Sequence, residues 1–165
     1  MKLVTLLSAA ALLASPLAGG DYDALGKALR HALPKCGTVG VVCNATQSKA
    51  AVEAITGAMS GMKLIVVDVK TAQDMGRALG TLGSRHPDVV VLVAGDKIAG
   101  DGTSAAAFLI QRMASTKVPT LATTEQGVRQ GAALGVGPGT SGKVLANAKL
   151  AGLTGIAIPA GASQI

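Results

Sequence analysis

The chain has 165 residues, of which 49 % are apolar and 15 % charged, enough for one hydrophobic core and too short for several domains. Its formal charge of +6 comes from 15 Lys and Arg against 9 Asp and Glu. The cations are scattered, and Tyr22 and Phe108 are the only aromatic residues. Nucleic-acid binding, which needs clustered positive charge or stacking rings, is therefore not expected.

The first 20 residues, MKLVTLLSAAALLASPLAGG, have the layout of an export signal. Lys2 is a basic start, residues 3–14 form an apolar centre too short to span a bilayer, and Ala18, Gly19 and Gly20 are small residues suited to cleavage. Loss of Lys2 would lower the formal charge to +5. Residues 21–165 are expected to form a single domain located in the periplasm or outside the cell. An amphipathic helix is predicted over 21–35, with Leu25, Ala28, Leu29 and Ala32 on one side and Pro34 ending it.

Five short apolar runs follow: 38–43 (TVGVVC), 64–69 (LIVVDV), 88–94 (DVVVLVA), 118–122 (VPTLA) and 132–136 (AALGV). Continuous Val-rich runs, rather than alternating ones, fit strands buried on both faces of a parallel sheet. Segments of helical period fill the gaps. Thr46 or Ser48 is placed to cap a helix over 49–59, and Thr71 with Asp74 forms a capping box for one over 72–82, stopped by Gly83 and Ser84. Thr103 or Ser104 opens a helix to Met113. Thr123, Thr124 and Glu125 open a short one, and a last helix is expected over 143–150. Residues 155–159 (GIAIP) are read as a final short strand. The prediction is an α/β fold: a doubly wound, parallel, five-stranded sheet, flavodoxin-like, in the order 2-1-3-4-5, within three α/β/α layers.

Such sheets bind ligands at the carboxyl ends of their strands, beside the switch point between strands one and three. The candidate ligand-binding residues are therefore Asn44 and Thr46 after strand one, and Gly95 and Asp96 after strand three. Thr123 and Glu125 after strand four, and Thr140 and Ser141 after strand five, border them. Glu125 is equally suited to capping its own helix. Asp96 and Asp101 share one loop, too sparse in oxygen ligands for calcium.

Residues 137–143 (GPGTSGK) match the spacing of a phosphate loop. Val144 replaces the hydroxyl that would hold magnesium, so a glycine-rich turn into a helix is the expectation, with an anion at that helix start as the alternative. Cys36 and Cys43 flank the first strand, where seven extended residues span about 23 Å. That is too far for an intramolecular disulfide. They are read as buried free thiols, with an intermolecular bridge as the alternative. No metal-ligand spacing, nucleophile elbow or suitably placed histidine is found, so no cofactor, no metal and no catalytic residue is predicted.

Four stretches carry a family likeness: VGVVCNATQSKAAVEAI, DVVVLVAGDKIAGDGTSAAAFLIQ, KVPTLATTEQGVRQGAALGVG and SGKVLANAKLAG. Across residues 38–159 the chain resembles one lobe of type I periplasmic substrate-binding proteins, in particular the ABC transporter substrate-binding family of the tryptophan/tyrosine type. The resemblance implies a non-enzymatic solute receptor in transport or sensing, with Asn44, Thr46, Asp96, Thr123 and Glu125 lining the cleft. Members of that family clamp the ligand between two lobes, whereas this chain holds one. The resemblance therefore implies a small-molecule ligand and a second copy or another protein as partner, with a membrane permease or an envelope complex beyond it. The alternative is a structural or assembly protein that kept the lobe and lost the ligand.

Overall fold

The computed structural model describes residues 19–136 and 143–165. The proposed export signal lies outside the described residues except for Gly19 and Gly20, which begin the first helix. In chain order the elements are α1 (Gly19–Ala32), β1 (Thr38–Cys43), α2 (Lys49–Ala58), β2 (Lys63–Asp68), α3 (Met75–Arg85), β3 (Val89–Leu92), α4 (Ser104–Ser115), β4 (Thr120–Ala122), α5 (Glu125–Arg129), β5 (Leu134–Val136), β6 (Val144–Ala146), α6 (Ala148–Thr154) and β7 (Ser163–Gln164). A single 3₁₀ turn, Ala72–Asp74, leads into α3 behind the expected Thr71–Asp74 capping box.

The strands form one sheet in the order β2-β1-β3-β4-β5-β6-β7. The first five are parallel and keep the predicted order, with Val39 beside both Leu64 and Val89. The sheet is covered on both sides. Tyr22, Leu25 and Leu29 of α1 and Ile55 of α2 pack on Val39, Val41, Val89 and Val91. Met75, Ala78 and Leu82 of α3 and Leu109, Ile110 and Met113 of α4 pack on Val42, Val90 and Leu92. Alternate residues of β1 and β3 thus enter opposite layers, which is why these strands read as unbroken apolar runs.

The far edge corrects the prediction of five parallel strands. Where a helix over 143–150 was expected, β6 pairs antiparallel with β5, Leu134 opposite Ala146. Only seven residues separate Val136 from Val144. A parallel return needs a crossover of a dozen or more residues, so the chain can only double back. The helix instead starts at Ala148, capped by Asn147. Residues 155–159 form no strand. Gly155 ends α6 in the left-handed region, Ile156 enters the core, and β7 forms later, parallel to β6. Gly83 and Ser84 do not stop α3 either. It runs to Arg85 and ends on His86 at φ 47°.

Gly135 is required by close approach. A Cβ there would lie 2.3 Å from Val128 Cγ2 and 3.2 Å from the Ala122 carbonyl oxygen, because α5 rests directly on β5. Gly135→Ala is expected to lower stability by about 1–3 kcal/mol through overpacking. Urea denaturation checks this, and an unchanged midpoint would show that α5 stands off the sheet.

Candidate functional site

The tips of β1, β2, β3 and β4 lie along one edge of the sheet, and three carboxylates stitch them together. Asp96, after β3, is 5 % exposed. Its Oδ2 accepts the Asn44 backbone N–H at 2.8 Å and the Ser48 hydroxyl at 2.5 Å. Its Oδ1 accepts the Ile98 and Ala99 N–H groups at 2.9 and 2.8 Å. Burial pushes the Asp96 carboxyl up, but the donors from Ala99, Ser48, Asn44 and Ile98 outweigh it and hold the group below its ordinary value. Ser48 therefore does not cap α2 with its side chain. It precedes that helix and turns its hydroxyl to Asp96.

Asp101 makes the second knot. Its Oδ2 accepts the N–H and hydroxyl of Thr123 at 2.7 and 3.1 Å, and those of Thr124 at 2.7 and 2.9 Å. Its Oδ1 is buried with no hydrogen-bond partner among the described residues. Asp68, at the end of β2, accepts the Ala45 N–H at 2.9 Å and pairs with Lys70 at 2.9 Å. Lys70 also donates to Thr46 Oγ1 at 3.2 Å. The bond from Lys70, then that from Ala45, holds the Asp68 carboxyl low.

A cleft of about 530 Å³ opens between α2 and the loop after β3, lined by Gln47, Ser48, Ala50, Ala51, Ala94, Gly95, Asp96 and Lys97. Gly95 turns the loop at φ 72°. Ala94 donates its N–H to the buried Tyr22 hydroxyl at 2.9 Å, so α1 holds the back of the same loop.

Of the predicted residues, Gly95 and Asp96 line this cleft and Asn44 is bonded beneath it. Thr46 sits on the neighbouring tip with Lys70. Thr123 belongs to the Asp101 knot. Glu125 begins α5 and pairs with Arg129 one turn on. Thr140 and Ser141, with the glycine-rich loop, lie outside the described residues. The strand that follows Lys143 removes the helix start on which both the phosphate-loop and anion readings depended. Sequence reasoning missed Ser48, Gln47, Ala50, Ala51, Ala94 and Lys97 as cleft residues. The signal available was Ser48, a hydroxyl in the turn between a strand tip and a helix.

Both thiols are free, but only Cys43 is buried as expected, Cys36 being half-exposed before β1. Cys43 is fully buried at the end of β1. Burial, then the charges of Asp96 and Asp68, push it up to about 11 against an opposing pull from Lys70. Among the described residues no group of His, Cys, Asp and Glu could hold a metal ion, and no helix is long and apolar enough to cross a membrane.

No protein-family model and no curated protein matches the sequence. Solved structures do match. A conserved domain protein from Vibrio cholerae superimposes with a TM-score of 0.72 at 18 % identity, covering 87 % of this chain and 59 % of the other. The ABC domain in complex with L-Trp from Streptococcus pneumoniae gives 0.70 at 17 %, covering 87 % and 62 %. The ligand-free, open structure of a substrate-binding protein with adhesive properties from Clostridium difficile gives 0.64 at 17 %, covering 84 % and 57 %. The chain thus spans about three fifths of the length of the structures it matches. What it shares with them is the α/β fold.

Two outcomes follow from the tip chemistry. Asp96→Asn places an amide N–H against two donors and is expected to cost about 1.5–3 kcal/mol, the range for lost charged hydrogen bonds. Because the native Asp96 carboxyl is held low, its contribution is present above the unfolded value near 4 and is lost as pH falls through the lower native one. The wild-type acid limb of stability should therefore be steeper than that of the variant. Parallel limbs in urea titrations from pH 6 to 3 would remove Asp96 from this role. Cys43 should resist Ellman's reagent at pH 8 in the native protein and react on unfolding, since the thiolate is the attacking form. Fast native labelling of Cys43 would contradict its burial.

Proposed function

We propose that this protein is a non-enzymatic solute-binding lobe that takes a small molecule at the strand tips, outside the cytoplasm, as part of an ABC-type transport or sensing system. The observation that carries this reading is the 530 Å³ cleft at the switch point between β1 and β3, within the size range of small-ligand sites. The fold it shares with an L-Trp complex and a substrate-binding protein supports the same reading.

The chemistry of the cleft is one of positioning. The start of α2 carries no acidic residue in its first turn and no side-chain cap; the Ser48 N–H is taken by the Asn44 carbonyl and that of Val52 by Ser48, which leaves the amides between them to a ligand's polar group. Gln47 and Lys97 add exposed polar side chains at the rim. Asn44, Asp96 and Thr123 fix the loops, Gly95 and Asp96 line the cleft, and Thr46 borders it on the neighbouring tip. A one-sided cleft encloses only part of a ligand, and tight sites enclose most of one. The reading therefore includes a second surface over the strand tips, supplied by another copy of this chain, with a membrane permease downstream.

One observation favours the alternative, an envelope or extracellular assembly protein that kept the lobe without its ligand. The carboxylates at the tips are already engaged by their own chain, leaving a ligand few side chains to meet.

A thermal-shift and calorimetric panel of the L-amino acids, L-Trp included, separates the two readings. A receptor should gain about 2.7 kcal/mol of stability at a ligand concentration 100-fold above Kd. Ala50→Trp, at an exposed position lining the cleft, should abolish that gain without unfolding the protein. No stabilisation by any amino acid, together with sedimentation as a monomer, would reject the receptor reading.

A further inference from the structure

A second cleft, of about 400 Å³, lies at the opposite end of the molecule. It opens between the last turns of α3 and α4, below the starts of β3 and β4. Leu79 and Leu82 come from α3, Met113 from α4, and Val118 from the segment entering β4. Leu82 and Met113 are core residues whose edges floor the cleft, and Leu79 and Val118 are half-buried. The polar lining is lopsided. Arg112 is exposed and makes no ion pair among the described residues, His86 is the other ionisable group, and no lining residue is acidic.

Gly83 shapes one wall of this cleft. It lies inside α3 with ordinary helical backbone, where glycine is disfavoured relative to alanine. Nothing lies within 4 Å of the position its Cβ would take, as is also true of Gly76 and Gly80 in the same helix, but Gly83 alone of the three lines the cleft. Its effect is to leave the cleft open beside α3.

We propose that this cleft binds a small amphipathic anion, a short hydrocarbon body ending in a carboxylate. The body fills the apolar floor formed by Leu79, Leu82, Met113 and Val118, and the carboxylate pairs with the Arg112 guanidinium. That planar fork matches a carboxylate with two parallel hydrogen bonds. The charge sign decides the class. A cationic amphiphile would face Arg112 with no acidic group to meet it, and a neutral one would leave the guanidinium unused. The site is independent of the strand tips, since the two clefts share no lining residue.

The test is calorimetric titration of the full chain with sodium octanoate, with octylammonium chloride and 1-octanol as comparators. Octanoate should bind saturably at one per chain, and octylammonium at least tenfold more weakly. Arg112→Glu should weaken octanoate at least tenfold, and Arg112→Gln should give an intermediate loss. Gly83→Leu, which projects into open space, should block binding with an unchanged circular dichroism spectrum. Ala50→Trp at the strand tips should leave octanoate binding intact. Absence of saturable binding, equal affinity for all three amphiphiles, or indifference to Arg112→Glu would each overturn the proposal. So would loss of binding in Ala50→Trp alone, which would transfer octanoate to the strand-tip cleft.

Discussion

The strand-tip end of this molecule depends on a buried carboxylate that gathers four donors from three segments. Where a parallel ladder stops, the next amides of each strand have no partner, and burying them unpaired is costly. Asp96 resolves this for the tip of β1, the approach to α2 and its own loop at once. Burial alone would favour the neutral acid. The group stays charged because its donors belong to a framework that holds them in place before the charge arrives. The same device recurs along the sheet. Asp68 takes an amide from the β1 tip, Asp101 takes two from the β4 tip, and Asp88 takes the Gly37 and Thr38 amides at 2.9 Å where β1 begins. Much of the chain's acidic complement thus serves the backbone.

This arrangement sets what the strand-tip cleft can offer. Its loops are fixed by bonds made without a ligand, so binding need not first order them. The walls are small, Ala50, Ala51, Ala94 and Gly95, and admit a ligand close to the backbone. The cost is that carboxylates which look free in sequence are not. On the proposed reading, recognition would fall to backbone N–H groups and to rim side chains, and enclosure to a surface over the tips.

The order of the first five strands was legible because burial on both faces erases alternation, and the Val-rich runs at 38–43, 64–69 and 88–94 display that directly. The capping box at Thr71 and the start of α5 at Thr124 were legible for a local reason, since a cap requires a particular side chain within three residues of the amides it serves. The far edge was not. The segment VLANAKLAG is rich in Ala, Leu and Lys, but its first three residues pair with β5 as a strand and Asn147 caps the helix that follows. The pairing follows from a seven-residue connection too short for a parallel crossover, which helical composition does not register. The site shows the same division. Asn44 and Asp96 could be placed together from topology. That Asp96 is satisfied by Ser48, and Asp101 by Thr123 and Thr124, depends on side-chain directions across loops, which spacing does not reveal.

The two ends of the sheet differ for a topological reason. In a parallel α/β chain each helix between parallel strands starts near the strand tips and ends below the strand starts, so N–H groups collect at one end and carbonyl groups at the other. The last turns accordingly carry Arg30, Arg85, Arg112 and Arg129, as helix dipoles favour. That alone accounts for a cation near the lower cleft. It does not account for the apolar floor beside that cation, formed by half-buried Leu79 and Val118 with the edges of Leu82 and Met113. A dipole needs charge near the helix end and is indifferent to what lies beside it. The lower cleft places that charge at the edge of an apolar floor, and the combination has the chemistry of a site for an amphipathic anion.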